Sequence, residues 1–186
     1  MKRFARLATV LVFATFAVAA IAVAGTTTGV AAESHRNHFR TVLVGYQETP
    51  MTINTAGHGT FTMDIVNDDN QINFTLTYAD LTGPPLFAHI HFGARATTGG
   101  VSAFLCGGST KPPCPPTTSG TVSGTITAAD VVGPTNQGIN PGEFAALVRA
   151  IRNGVTYANM HSQKFPTGEI RGQIDGRLQL PRNPGE

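Results

Sequence analysis

Two histidines stand one residue apart in the heptapeptide FAHIHFG, residues 87–93. In an extended strand successive side chains point to opposite faces, so His89 and His91 share a face, about 6.5–7 Å apart along the backbone. Ala88, Ile90 and Phe92 take the other face. A third histidine, His161, lies in TYANMHS (156–162) on the parity of Asn159, with Ala158 and Met160 opposite. Imidazole is a ligand for copper, zinc and nickel, at metal–nitrogen distances near about 2.0–2.1 Å. If the two strands are neighbours, His89, His91 and His161 form a three-nitrogen metal site, for copper first and zinc second. The plainer reading of the same residues is structural: histidines on a half-buried strand face, bonded to backbone carbonyls or to a carboxylate such as Glu169.

The other residues with chemistry in them are fewer. His58 lies between two glycines on the parity of Thr60, Thr62 and Asp64 and reads as exposed. His35 and His38 fall in a polar stretch ahead of the first strand. Met160 points away from His161 and belongs to packing. In FPTGEIRGQI, Glu169 and Arg171 share a face and read as a structural pair, with each other or with neighbouring loops. Cys106 and Cys114 bracket GGSTKPP and are the only cysteines. In an exported chain the natural reading is a disulfide, worth about 2–3 kcal/mol by loop entropy, with a metal-binding thiol pair as the rival. No G-x-S-x-G elbow, phosphate-cradling glycine loop or H-E-x-x-H helix is present, so no catalytic residue is assigned. Ser162 follows His161, but adjacent strand residues point apart and make no nucleophile pair.

These residues need a sheet to position them, and the chain supplies one. Short β-type runs recur at 39–47, 59–67, 72–79, 87–93, 101–107, 120–131, 156–162 and 168–175. GTFTMDIVN and INFTLTYA alternate cleanly around an Asn/Asp-rich break, which predicts a hairpin. Many short strands separated by Gly/Pro turns mark an antiparallel β-sandwich or barrel. One helix is expected over 141–152. Asn140 stands at its N-cap, Pro141 at its first position and Glu143 three past the cap. Phe144, Leu147, Val148 and Ile151 line one face, and Gly154 ends it.

The chain opens with Lys2, Arg3 and Arg6, then the uncharged run LATVLVFATFAVAAIAVAG, then small residues at VAA. That is the layout of a secretory signal peptide, with cleavage after Ala32; an uncleaved anchor is the alternative. Residues 33–40 read as a polar leader and 177–186 as a tail. Without the leader peptide's three basic residues, ten basic side chains face eleven acidic ones. No basic stripe remains to follow a phosphate backbone, which excludes nucleic acid as a partner class.

Four segments together resemble the CHRD family, the domain first named from chordin: LVGYQETP, GHGTFTMDI, LTGPPLFAHIHFGARATTGGV and IRNGVTYANMHSQKFPTGEIRGQI. The resemblance covers residues 41–176. It implies an all-β extracellular domain, immunoglobulin-like, Greek-key or barrel-like, and implies no enzymatic activity. The growth-factor partner of chordin does not carry over to a stand-alone chain. The H-x-H strand pair is also similar to that of copper–zinc superoxide dismutases, but the further His and Asp of a zinc loop are missing. The sequence therefore leads to a secreted or envelope-associated, non-enzymatic module that binds an extracellular protein or cell-wall component. A copper- or zinc-binding protein is the alternative, and a redox enzyme built on that metal the third.

Overall fold

The computed structural model describes residues 37–175. The expected signal peptide, the first part of the polar leader with His35, and the C-terminal tail lie outside the described residues. Among those described, no helix is long and apolar enough to cross a membrane.

Eight strands form one antiparallel sheet: β1 (His38–Val44), β2 (His58–Val66), β3 (Gln71–Ala79), β4 (Pro85–Phe92), β5 (Gly100–Cys106), β6 (Gly120–Ile126), β7 (Thr156–Ser162) and β8 (Ile170–Ile174). Their order is β5-β4-β7-β8-β1-β2-β3-β6, and the sheet curls into a nearly closed barrel. The all-β expectation holds, in its barrel form: one sheet turns back on itself instead of two packing face to face. All eight β-type runs contain a strand; the one expected over 120–131 ends at Ile126, because Ala128–Asp130 form a 3-10 turn. The first is cut short, because Gly45–Gln47 turn into a single 3-10 turn. That strand begins at His38, so the end of the expected polar leader is already paired with β2.

Alternation explains the interior. Phe61, Met63 and Ile65 of β2 and Ile72, Phe74, Leu76 and Tyr78 of β3 all point inward and are buried. Phe61 and Phe74 stack across the hairpin at 6.3 Å between ring centroids. The turn between these strands passes Asn67, Asp68 and Asp69 in the left-handed region, at φ 54°, 50° and 63°. Asn and Asp are the non-glycine residues that enter that region most readily, which is why NDDNQ breaks the alternation.

The helix α1 spans Phe144–Arg152, three residues shorter at its start than the sequence suggests. Gly142 is the reason. It takes φ +83° and gives its N–H to Val131 O, so residues 140–142 form a turn and not a first helical turn. Glu143 becomes the N-cap, and its Oε2 accepts from the Asn140 N–H at 2.7 Å. Phe144, Leu147, Val148 and Ile151 bury as expected in the common apolar cluster. Arg152 at the far end reaches Asp69 at 2.5 Å, which ties the helix to the β2–β3 turn. Gly154 follows at φ +69° and stops the helix.

Strands β7 and β8 differ from the others in being buried at every position. One face lies against the barrel interior through Ala158, Met160, Ile170 and Ile174. The other carries polar side chains and is roofed by loops. Arg171 donates to Thr49 Oγ1, Thr97 O and Ala94 O. Gln173 donates to Gly93 O and Gly154 O at 3.0 and 2.9 Å.

Candidate metal centre

Strand pairing decides where the three histidines meet. On the outer face of β4 and β7, Phe87 stands opposite His161, His89 opposite Asn159, and His91 opposite Tyr157. His89 therefore lies between His91 on its own strand and His161 on the diagonal. Their ring centroids are 4.5 Å and 4.6 Å from that of His89, and 6.4 Å from each other. One ligand nitrogen from each ring falls within 4.8 Å of the others. Nitrogens at that separation must come about an ångström closer for all three to sit about 2.0–2.1 Å from a single ion.

Two irregularities in β5 shape this corner. Its register against β4 slips between Ala88 and His89 and again between Ile90 and His91, which leaves Leu105 and Ser102 without direct partners. Each slip is a β-bulge, a device that re-aims side chains beside a site. Here Leu105 stays in the core while Phe104 comes alongside His89, edge to face, at 5.3 Å. Phe87 packs on His89 and His161 at 5.3 and 4.8 Å, and Tyr157 stacks flat on His91 at 4.6 Å. The trio is thus walled by three aromatic rings and is 3%, 9% and 7% exposed.

The hydrogen bonds fix the tautomers. His91 Nδ1 lies 2.8 Å from Gly99 O, and His161 Nδ1 lies 2.9 Å from Pro166 O. A carbonyl oxygen only accepts, so each Nδ1 carries the proton and each Nε2 carries a lone pair. Both Nε2 atoms are buried without a partner, and so is Nδ1 of His89. A backbone carbonyl on one ring nitrogen with the other left bare is the arrangement by which proteins orient a metal-binding histidine. Burial drives the imidazoles toward the neutral form. His89 is pushed down to about 2 by burial and then by His91 and His161. His91 is lowered to about 4, mostly by burial, partly opposed by the Gly99 bond. His161 is lowered by burial against the bond to Pro166.

The remaining sequence candidates take other places. Met160 is in the core, on the opposite face from His161. His58 is exposed, bonded to Ala56 O at 3.1 Å, and is no part of the trio. Glu169 does not bond the histidines. Its Oε1 accepts from Thr82 N–H, the Thr82 hydroxyl and the Thr55 hydroxyl at 2.7–2.8 Å. Burial pushes its carboxyl up, but bonds from Ser162, Thr55 and Thr82 outweigh that and hold it below the usual range. Nor do Glu169 and Arg171 pair with each other; each fastens its strand to a separate set of loops. Cys106 and Cys114 are joined, with Cα atoms 4.9 Å apart.

Three residues enter that the sequence reading passed over. Tyr157 and Asn159 share the parity of His161, a signal that was there to be read. Glu48 was not visible. It sits buried beneath the first loop, where Asn159 Nδ2 donates to its Oε1 at 2.5 Å. Burial raises its carboxyl to about 7, although Arg171, Thr49 N–H and Asn159 all favour the charged form. Arg171 lies over Tyr157 with Cζ 3.5 Å from the ring centroid. A chain of stacked groups therefore runs from the guanidinium through Tyr157 to His91.

Comparison with known proteins adds the family. No curated protein and no solved structure matches the chain. The family model described as CHRD domain matches residues 39–174, nearly the whole barrel with both histidine strands inside it. The chain therefore belongs to the CHRD domain family.

Proposed function

We propose that this CHRD domain is an exported, non-enzymatic metal-binding module in which His89, His91 and His161 hold one copper or zinc ion. The observation that carries this is a trio of imidazoles that each keep a buried, unpartnered ring nitrogen and offer ligand nitrogens within 4.8 Å of one another. A buried polar atom without a partner costs on the order of 1–3 kcal/mol, and three in one corner need a reason. A bound ion supplies it. Export rests on the layout of residues 1–32 and on the Cys106–Cys114 bridge, which persists outside reducing compartments. Binding of an extracellular protein or cell-wall component, the first reading of the sequence, moves to second place. Its support is the pair Tyr46 and Met51, 69% and 67% exposed on the loop that roofs the polar face.

The test is metal analysis of the chain purified without a polyhistidine tag, before and after loading. One ion per chain and a raised melting temperature are expected, with both lost in His89→Ala and His161→Ala. A chain that melts at the same temperature with and without copper or zinc, and retains neither through gel filtration, defeats the reading.

A further inference from the structure

Granting that the trio holds a metal, the geometry points to a monovalent, three-coordinate ion: we propose that the site is built for Cu(I), with Ag(I) as a substitute of the same charge and filled d shell, and discriminates against Zn(II). Four features of the corner carry this.

First, the ligands are all neutral. Among the described residues the cluster with metal-holding geometry contains His89, His91 and His161 and no carboxylate or thiolate. The full charge of the ion stays in the site. The cost of moving an ion out of water grows with the square of its charge, so a divalent ion pays four times what a monovalent one pays. Second, the walls are hydrocarbon. Phe87, Phe104 and Tyr157 pack directly on the imidazoles. Third, a fixed cation stands behind one ligand. Arg171 lies on Tyr157, and Tyr157 lies on His91. The hydrogen bonds of Arg171 go to neutral oxygens of Thr49, Thr97, Ala94 and Gln173, and the carboxyl that attracts it, Glu48, is pushed by burial toward its neutral form. Its repulsion acts twice as strongly on a divalent ion as on a monovalent one. Fourth, the donor count is three. Zn(II) is four-coordinate and would have to bring a water as its fourth ligand into this buried, aromatic-walled corner, whereas Cu(I) is satisfied by three nitrogens in a plane. Glu48 and Glu169, the other buried carboxylates, accept from Asn159 and from Thr55 and Thr82, and neither belongs to the cluster.

The experiment uses the full chain, untagged and kept anaerobic. Cu(I) buffered by a colorimetric chelator, Ag(I) and Zn(II) are each titrated, with affinity and stoichiometry read by chelator competition and melting. Cu(I) and Ag(I) are expected to bind one to one and to raise the melting temperature. Zn(II) is expected to bind at least about a thousandfold more weakly, the equivalent of about 4 kcal/mol. X-ray absorption of the Cu(I) form is expected to show three nitrogen neighbours. Zn(II) binding as tight as Cu(I), or a four-coordinate Cu(I) spectrum, overturns this inference and leaves a metal site standing. Failure of all three ions to bind removes the metal reading itself, and the two failures are told apart in one set of titrations.

Discussion

At the scale of single residues, the metal-free protein carries a burden in its His trio. Replacing His89 by Leu, of similar size, removes the unpartnered Nδ1 and leaves an apolar side chain among Phe87 and Phe104. The variant is expected to be more stable than the metal-free parent by roughly 1–2 kcal/mol in urea melts, while losing metal binding. A destabilised variant counts against the idea that the ring is held for an ion. Acid sensitivity follows from the same groups. All three imidazoles are lowered in the folded state, so the unfolded chain takes up protons first as pH falls below about 6.5. Their stabilising contribution is whole above that pH and is lost as pH falls toward about 4, where His91 itself protonates. Glu48 runs the other way. Its carboxyl is raised to about 7, so its contribution is present at low pH and is lost as pH rises through 7. Three protons outweigh one, and the metal-free chain is expected to lose stability between pH 6.5 and 5. Glu48→Gln removes the opposing contribution, and denaturant midpoints for that variant are expected to fall more steeply over the same interval. His89 and His91 were legible in the sequence because a period of two puts them on one face. Glu48 was not, because its burial depends on a loop folding over a strand pair far along the chain.

Elements place these residues, and their faults are informative. The strands were legible wherever one face is apolar and the other polar, as in β2 and β3. The helix start was not, because a positive φ at Gly142 overrides the Asn-Pro signal just before it. The two bulges of β5 left no mark in VSAFLCG, since Leu105 and Phe104 are both apolar and either could face inward. The loop after β7 is where an element-scale prediction belongs. Gly168 takes φ +132°, and a Cβ there would stand 2.7 Å from Glu48 Oε2 and 3.0 Å from Asn159 Nδ2. Gly168→Ala is expected to cost about 1–3 kcal/mol, from backbone strain and displacement of that buried pair together. The readout is a lowered thermal midpoint accompanied by weaker metal binding, since Pro166, which orients His161, lies two residues away. An unchanged midpoint would show that the loop yields freely.

For the molecule as a whole, the strand order is the part least visible in sequence. β1 sits between β8 and β2, which brings the first and last described strands together. β7 enters between β4 and β8, which brings His161 to residues some seventy positions earlier. Such order comes from which edges find each other in the collapsed chain, and local pattern carries no record of it. The order also leaves β5 and β6 as the two strands with one unpaired side. Lys111, Pro112, Pro113 and Pro115 line the groove between them, together with Leu105, Cys106 and residues 121–125 of β6. Lys111 itself donates to Thr125 O and pairs with Asp130. Cys106→Ala with Cys114→Ala is expected to lower unfolding free energy by about 2–3 kcal/mol in calorimetry, from the short loop it opens. The bridge has a second consequence, because unpaired strand edges are templates on which other chains can assemble. A proline-bearing flap pinned across the seam works as a guard against self-association: unclasped, the molecule is expected to clump while its barrel is still intact, and light scattering should rise well before circular dichroism falls.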